Sequence, residues 1–178
     1  MDKFRITTVD YIILGLLQQQ LLTGYGIRMI FETTAIGSYS SSPGTVYPAV
    51  NKLKKLGFIK DINSPDGKKL QLTYTSQGKT ELQKWLKQDI SDEDIAKRMD
   101  ILILRFGFME DIVAHPEKLK FIKSFIEKIS TYLKGLKNYH KQESSNMPTQ
   151  GRLAFEFGIE TISASLKWAK RALKVLQT

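Results

Sequence analysis

Apolar positions recur at helical spacing over the first third of the chain. Val9, Ile12, Ile13, Leu16 and Leu17 predict a first helix over about 8–21, broken by the Thr23-Gly24 pair. Tyr25, Ile27, Ile30 and Phe31 predict a second helix over about 25–34. A third is expected within SSPGTVYPAVNKLKKLGFI, residues 41–59. There Ser42 is a capping residue, Pro43 suits the first turn, and Gly57 supplies the left-handed residue that ends many helices. At about 3.6 residues per turn, Val46, Ala49, Val50, Leu53 and Leu56 share one face, while Gly44, Pro48, Asn51, Lys52 and Lys55 share the other. Such a helix is short, cationic outside and apolar beneath, as a DNA recognition helix is.

Past Gly57 the period changes. Residues 58–62 read as a strand, and 70–75 alternate apolar with polar as a half-buried strand does. Pro65, Asp66 and Gly67 make the turn between them, and Lys68 and Lys69 place charge near its tip. Three helices, a strand, a basic hairpin and a second strand predict a winged helix-turn-helix. Winged helices also serve as protein-contact modules, and lysines on a helix face are often only solvated surface. Against that, residues 46–69 hold six lysines and two aspartates, an excess of +4, spread over the third helix and the hairpin. Gly44 and Thr45 would let backbone amides approach a phosphate.

A fourth helix is expected from Ser76 or Gln77 to about Ile90, with Leu82, Trp85 and Leu86 on its apolar face. A fifth, over about 92–108, begins in the acidic run Ser91-Asp92-Glu93-Asp94. After Pro116 two longer patterns follow a period near 3.5 residues. Leu119, Ile122, Ile126, Ile129, Leu133 and Leu136 form one; Phe155, Ile159, Ile162, Leu166, Ala169, Leu173 and Leu176 form the other. Joined by a polar stretch over 142–151, they predict an antiparallel pair. A self-contained hairpin is one outcome. A two-fold dimer is preferred, because these helices present more apolar face than one hairpin covers, and Ile126, Ile129, Leu133, Ile159, Ile162, Leu166 and Leu173 are its expected interface. The expected architecture is therefore mainly α with a small β-hairpin: a winged helix-turn-helix over 1–90 and a coiled-coil-like dimerisation domain over 91–178.

The chain of 178 residues carries a formal charge of +9, with 12 basic and 7 acidic side chains in 1–90 (+5). A polyanionic partner fits that balance. No apolar run reaches about 18 residues, the N-terminus lacks a cleavage site, and cysteine is absent, so a cytoplasmic protein outside the membrane is expected. His115 and His140 have no metal-ligand spacing, the serines at 38 and 40–42 have no nearby His or acid, and Gly24-Tyr25-Gly26 lacks a dinucleotide loop's third glycine. Neither an enzyme nor a cofactor is expected. Trp85, Phe106, Phe155 and Trp168 are candidates to line an effector pocket, although aromatics at helical spacing more often build core.

ILGLL at 13–17, Gly24-Tyr25, SPGTVYPAVNKL at 42–53 and LTYTSQGKTELQKWL at 72–86 resemble the PadR family of bacterial transcriptional regulators. The first half carries this likeness closely, and the second resembles the longer members, which have a helical dimerisation region. Two departures stand out: Thr23 where the family often has His, and Lys68-Lys69 where its wing is often richer in arginine. The resemblance implies a homodimer on double-stranded DNA with a palindromic operator, a repressor more often than an activator. A small aromatic or hydrophobic effector releases the DNA in some members. On this basis the DNA-facing residues are expected to be Ser42, Gly44, Thr45, Tyr47, Pro48, Asn51, Lys52, Lys55, Lys68 and Lys69.

Overall fold

A computed structural model describes residues 5–39, 43–64, 67 and 69–177. The chain divides into two compact units, Met1–Trp85 and Leu86–Thr178.

In the first unit, α1 (Thr8–Gln19), α2 (Gly24–Thr33) and α3 (Val46–Lys55) precede the antiparallel strands β1 (Ile59–Asn63) and β2 (Leu70–Tyr74) and the helix α4 (Ser76–Leu86). α1 ends two residues before the expected limit because Gln20 is already extended; its N–H still returns to Leu16 O. The strands pair Ile59 with Tyr74, Asp61 with Leu72 and Asn63 with Leu70. Leu22, just after α1, bridges the other edge of β2 through two backbone hydrogen bonds with Leu72, so the hairpin is tied to the helices. Ile12, Ile13, Leu14, Ile27, Val46 and Leu53 are fully enclosed, and together they fill the angle between the first three helices. Burying aliphatic side chains of this size is worth about 1.5–3 kcal/mol each. Tyr11 stacks on Trp85 at 4.7 Å with its hydroxyl donating to Glu81 at 3.0 Å. Burial first, then Glu81, pushes the Tyr11 phenol well above its ordinary range.

The second unit holds α5 (Asp92–Lys97), α6 (Met99–Gly107), α7 (His115–Glu143) and α8 (Thr149–Gln177). Where one helix was expected over 92–108, the chain breaks at Arg98, with φ −139° and ψ 33°. No glycine or proline marks that break. Ser91 caps α5: its hydroxyl accepts from Asp94 N–H at 3.1 Å, and Asp94 accepts in return from Ser91 N–H at 2.9 Å. Burial would raise the Asp94 pKa, but the Ser91 hydrogen bonds and the Arg98 charge prevail and lower it. α7 and α8 run along each other as the antiparallel pair expected. The buried stripe of α7, however, is Phe121, Ile122, Phe125, Ile129 and Leu133, shifted from the predicted seam toward the two phenylalanines. Among the described residues no helix is long and apolar enough to cross a membrane.

Candidate nucleic-acid interface

The third helix opens differently from its expectation. Pro43–Thr45 form a 3-10 turn, and the α-helix itself begins at Val46. Ser42, the expected cap, lies outside the described residues. Its end is as expected: Gly57 takes φ 70°, and the N–H groups of Gly57 and Phe58 return to the carbonyls of Lys54 and Leu53 at 3.0 Å.

Val46, Ala49, Val50 and Leu53 are buried, which turns the opposite face outward. Gly44, Tyr47, Pro48, Asn51 and Lys55 are exposed there, with Thr45 half-buried at the margin. Tyr47 keeps 43% of its surface, yet one edge of its ring rests on α2. A Cβ at Gly24 would lie 3.3 Å from that ring, so the glycine of the Gly24-Tyr25 pair makes room for it.

Two lysines leave this face. Lys52 was expected outward by the helical wheel, but its ammonium bonds to the fully buried Asp10 of α1 and to the Arg5 carbonyl at 3.2 Å. The reason is electrostatic, since a buried carboxylate is costly without a counter-charge. On the opposite edge Lys54 reaches Asp61 of β1 at 2.7 and 2.8 Å. α3 is thus held along both flanks, and Lys55 alone of its three lysines has no carboxylate partner among the described residues.

The hairpin adds exposed Lys60 on β1 and Lys69 beside the turn. Ser64 N–H donates to Lys69 O at 2.8 Å, and Gly67 takes φ 69° in the turn. Lys68 lies outside the described residues. Sequence reasoning counted Lys60, Arg5 and Arg28 in the charge balance but did not single them out as DNA-facing residues. Alternation along β1 would have exposed Lys60. Arg28 pairs with Glu32 at 2.7 Å, and that carboxylate raises its pKa, with the Tyr47 hydroxyl adding a smaller push.

The residues expected at a dimer seam divide into two groups. Ile129 and Leu133 are buried within one protomer, so they are core rather than interface. Ile126, Ile159, Ile162, Leu166 and Leu173 are half-buried. Elsewhere on α8, Leu153, Phe157 and Val175 are 54%, 71% and 67% exposed.

The four candidate effector residues are found in three places. Trp85 stacks on Tyr11, Phe106 meets Trp168 edge-on at 5.7 Å, and Phe155 lies beside Tyr139 and His140. Phe125 also touches Trp168 edge-on, which makes the Phe106–Trp168 contact part of a packed aromatic core. A separate, small cleft of about 20 Å³ is lined by Leu86, Ile90, Met109, Val113 and Phe121, with Lys87, Asp89, Glu117 and Lys120 at its rim. Arg105, 3% exposed, lies over the Phe121 ring at 5.2 Å and donates to the carbonyls of Leu86, at 3.1 Å, and Gln88. Burial lowers the Arg105 pKa. Of the histidines, His115 opens α7 exposed and His140 contacts Glu156 at 3.1 Å.

Residues 13–84 match the family model described as the transcriptional regulator PadR-like family. Over 144 residues the chain is 29% identical to the negative transcriptional regulator PadR of Bacillus subtilis, covering 79% of this chain and 78% of that protein. Among solved structures it is similar to Bacillus subtilis PadR in complex with operator DNA, at 26% identity, 96% and 99% coverage and a TM-score of 0.41. It is also similar to the same regulator in complex with p-coumaric acid, at 21% identity, 98% and 99% coverage and a TM-score of 0.40. The three-helix order, the SPGTVYPAVNKL run on the outward helix and the hairpin that follows all fall within or across the matched span, and residues 13–84 are a domain of the PadR-like transcriptional regulator family.

Proposed function

We propose that this protein is a homodimeric transcriptional repressor that binds a palindromic operator in double-stranded DNA and acts in the cytoplasm. The observation that carries this is the outward face of α3, where Tyr47, Pro48, Asn51 and Lys55 stand exposed while both flanks of the helix are strapped to the body of the unit. A helix presented in this way enters a major groove, where Asn51 can both donate to and accept from a base edge. Lys55, Lys60, Lys68 and Lys69 serve the backbone, and Gly44 and Thr45 bring amides to a phosphate. Lys52 is reassigned from DNA contact to support. The name of the Bacillus subtilis relative, a negative regulator, favours repression over activation.

Dimerisation is supported by the second unit. Leu153 and Phe157, one turn apart on α8, and Val175 near its end stand in water, and the inner seam residues of the same helix are only half-covered. A second copy on a two-fold axis buries such residues and sets two recognition helices one duplex turn apart, about 34 Å. A small aromatic or hydrophobic effector rests on the family resemblance alone, since the cleft at Leu86, Ile90, Met109, Val113 and Phe121 holds only about 20 Å³ and sets Asp89 and Glu117 beside its two lysines.

Selection from randomised duplexes, followed by titration across salt concentrations, tests the reading. A preferred palindrome is expected, with log affinity falling against log salt by about 0.9 per phosphate contact. Flat salt dependence with no preferred site would leave a protein-contact module instead.

A further inference from the structure

The Asp10–Lys52 pair does more than neutralise a buried carboxylate. Lys52 also donates to the Arg5 carbonyl at 3.2 Å. Asp10 grips the same strand two residues on, accepting from both the N–H and the hydroxyl of Thr7 at 2.7 Å. Each member of one ion pair therefore holds segment 5–7. Asp10 is fully buried and only 23% of the Lys52 side chain is exposed, so salt screens this tether far less than a surface pair.

The tether has a positional consequence. Lys52 is adjacent to Asn51 and less than one turn from Lys55, so the hydrogen bond from its ammonium ties the Arg5 backbone to the helix that carries them. Arg5 itself is exposed and forms no ion pair among the described residues. A guanidinium on a pinned backbone stays within side-chain reach of that helix and offers a planar fork suited to phosphate. We propose that Arg5 is a phosphate-contacting residue of the DNA interface and that Lys52, paired with Asp10, is the strut that holds it beside the recognition helix. The charge that Asp10 removes from Lys52 is in effect replaced by Arg5.

This rests on the DNA-binding reading, and the test separates the two. The probes are the duplex selected by the wild-type protein and an unrelated duplex of equal length. Arg5→Ala is expected to lower affinity on both probes and to reduce the salt slope by about 0.9 per protomer, with base preference and thermal midpoint unchanged. Arg5→Lys should retain most of the slope. Lys52→Met alone leaves a buried carboxylate unpaired and risks unfolding, so the strut is tested in the paired variant Asp10→Asn with Lys52→Met. In that folded background Arg5→Ala should change the slope much less than in the wild type. A wild-type slope retained by Arg5→Ala would overturn the Arg5 contact, and an undiminished Arg5→Ala effect in the paired background would overturn the strut. A wild-type protein with flat salt dependence and no preferred duplex would defeat the DNA reading itself, and this inference with it.

Discussion

Asn51 presents a donor and an acceptor from the middle of the outward α3 face, whereas Lys55, one turn on, presents only charge. Their substitutions should therefore differ in kind. Asn51→Ala is expected to relax preference at one position of each half-site, losing about 1–3 kcal/mol of discrimination there. Lys55→Ala is expected to weaken all duplexes nearly alike while shortening the salt slope. Selection from randomised duplexes separates them, and an unchanged preference in Asn51→Ala would remove its base-reading role. The helical wheel made these two residues legible but misplaced Lys52. A wheel knows only the angle of a side chain around its own helix, and the carboxylate that draws Lys52 aside sits 42 residues earlier, on α1.

At the scale of elements, the passage from hairpin to α4 depends on a glycine that the sequence did not single out. A Cβ at Gly78 would lie 2.1 Å from the Phe58 carbonyl oxygen, a backbone atom that cannot turn away. Thr75 secures the same corner, its N–H donating to Phe58 O at 2.9 Å and its hydroxyl to Gly57 O at 2.6 Å. Gly78→Ala should thus force α4 from the hairpin and cost at least the about 1–3 kcal/mol typical of overpacking, read as a lower unfolding midpoint in urea. The second unit offers a pH test. Asp94 has a lowered pKa, so its contribution is full above the unfolded carboxyl value of about 3.9 and is lost as pH falls through the lower folded value. Asp94→Asn should flatten the acid limb of the stability profile below about pH 4, and an unchanged limb would assign acid sensitivity to another carboxylate. Element order was readable because period, caps and turn residues are local. The break at Arg98 was not, since no local residue type announces it and apolar spacing runs on through α5 and α6.

For the molecule as a whole, the sequence showed that the last two helices carry more apolar surface than a hairpin needs, but not which part of it stays open. A 3.5-residue period identifies a stripe without saying what covers it. Ile129 and Leu133 are covered from within, while α8 keeps Leu153, Phe157 and Val175 in water. Leu153 and Phe157 are about one turn apart, whereas Trp168 packs on Phe106 and Phe125 and exposed Lys170, Arg171 and Lys174 precede Val175, so the apolar patch is centred on Phe157. Phe157, 71% exposed in the single chain, is therefore the sharper probe of association than half-buried Leu166, whose replacement by Glu would also disturb the protomer's own packing. If a second copy covers this face, Phe157→Glu places an unpaired charge in an apolar interface, a loss on the order of 3–5 kcal/mol. The variant should keep its helical content, yet sediment as a single chain and bind a palindrome little better than one half-site. Sedimentation and duplex titration on the same sample decide this. A Phe157→Glu protein that remains dimeric with full affinity would move the association surface off this side of α8.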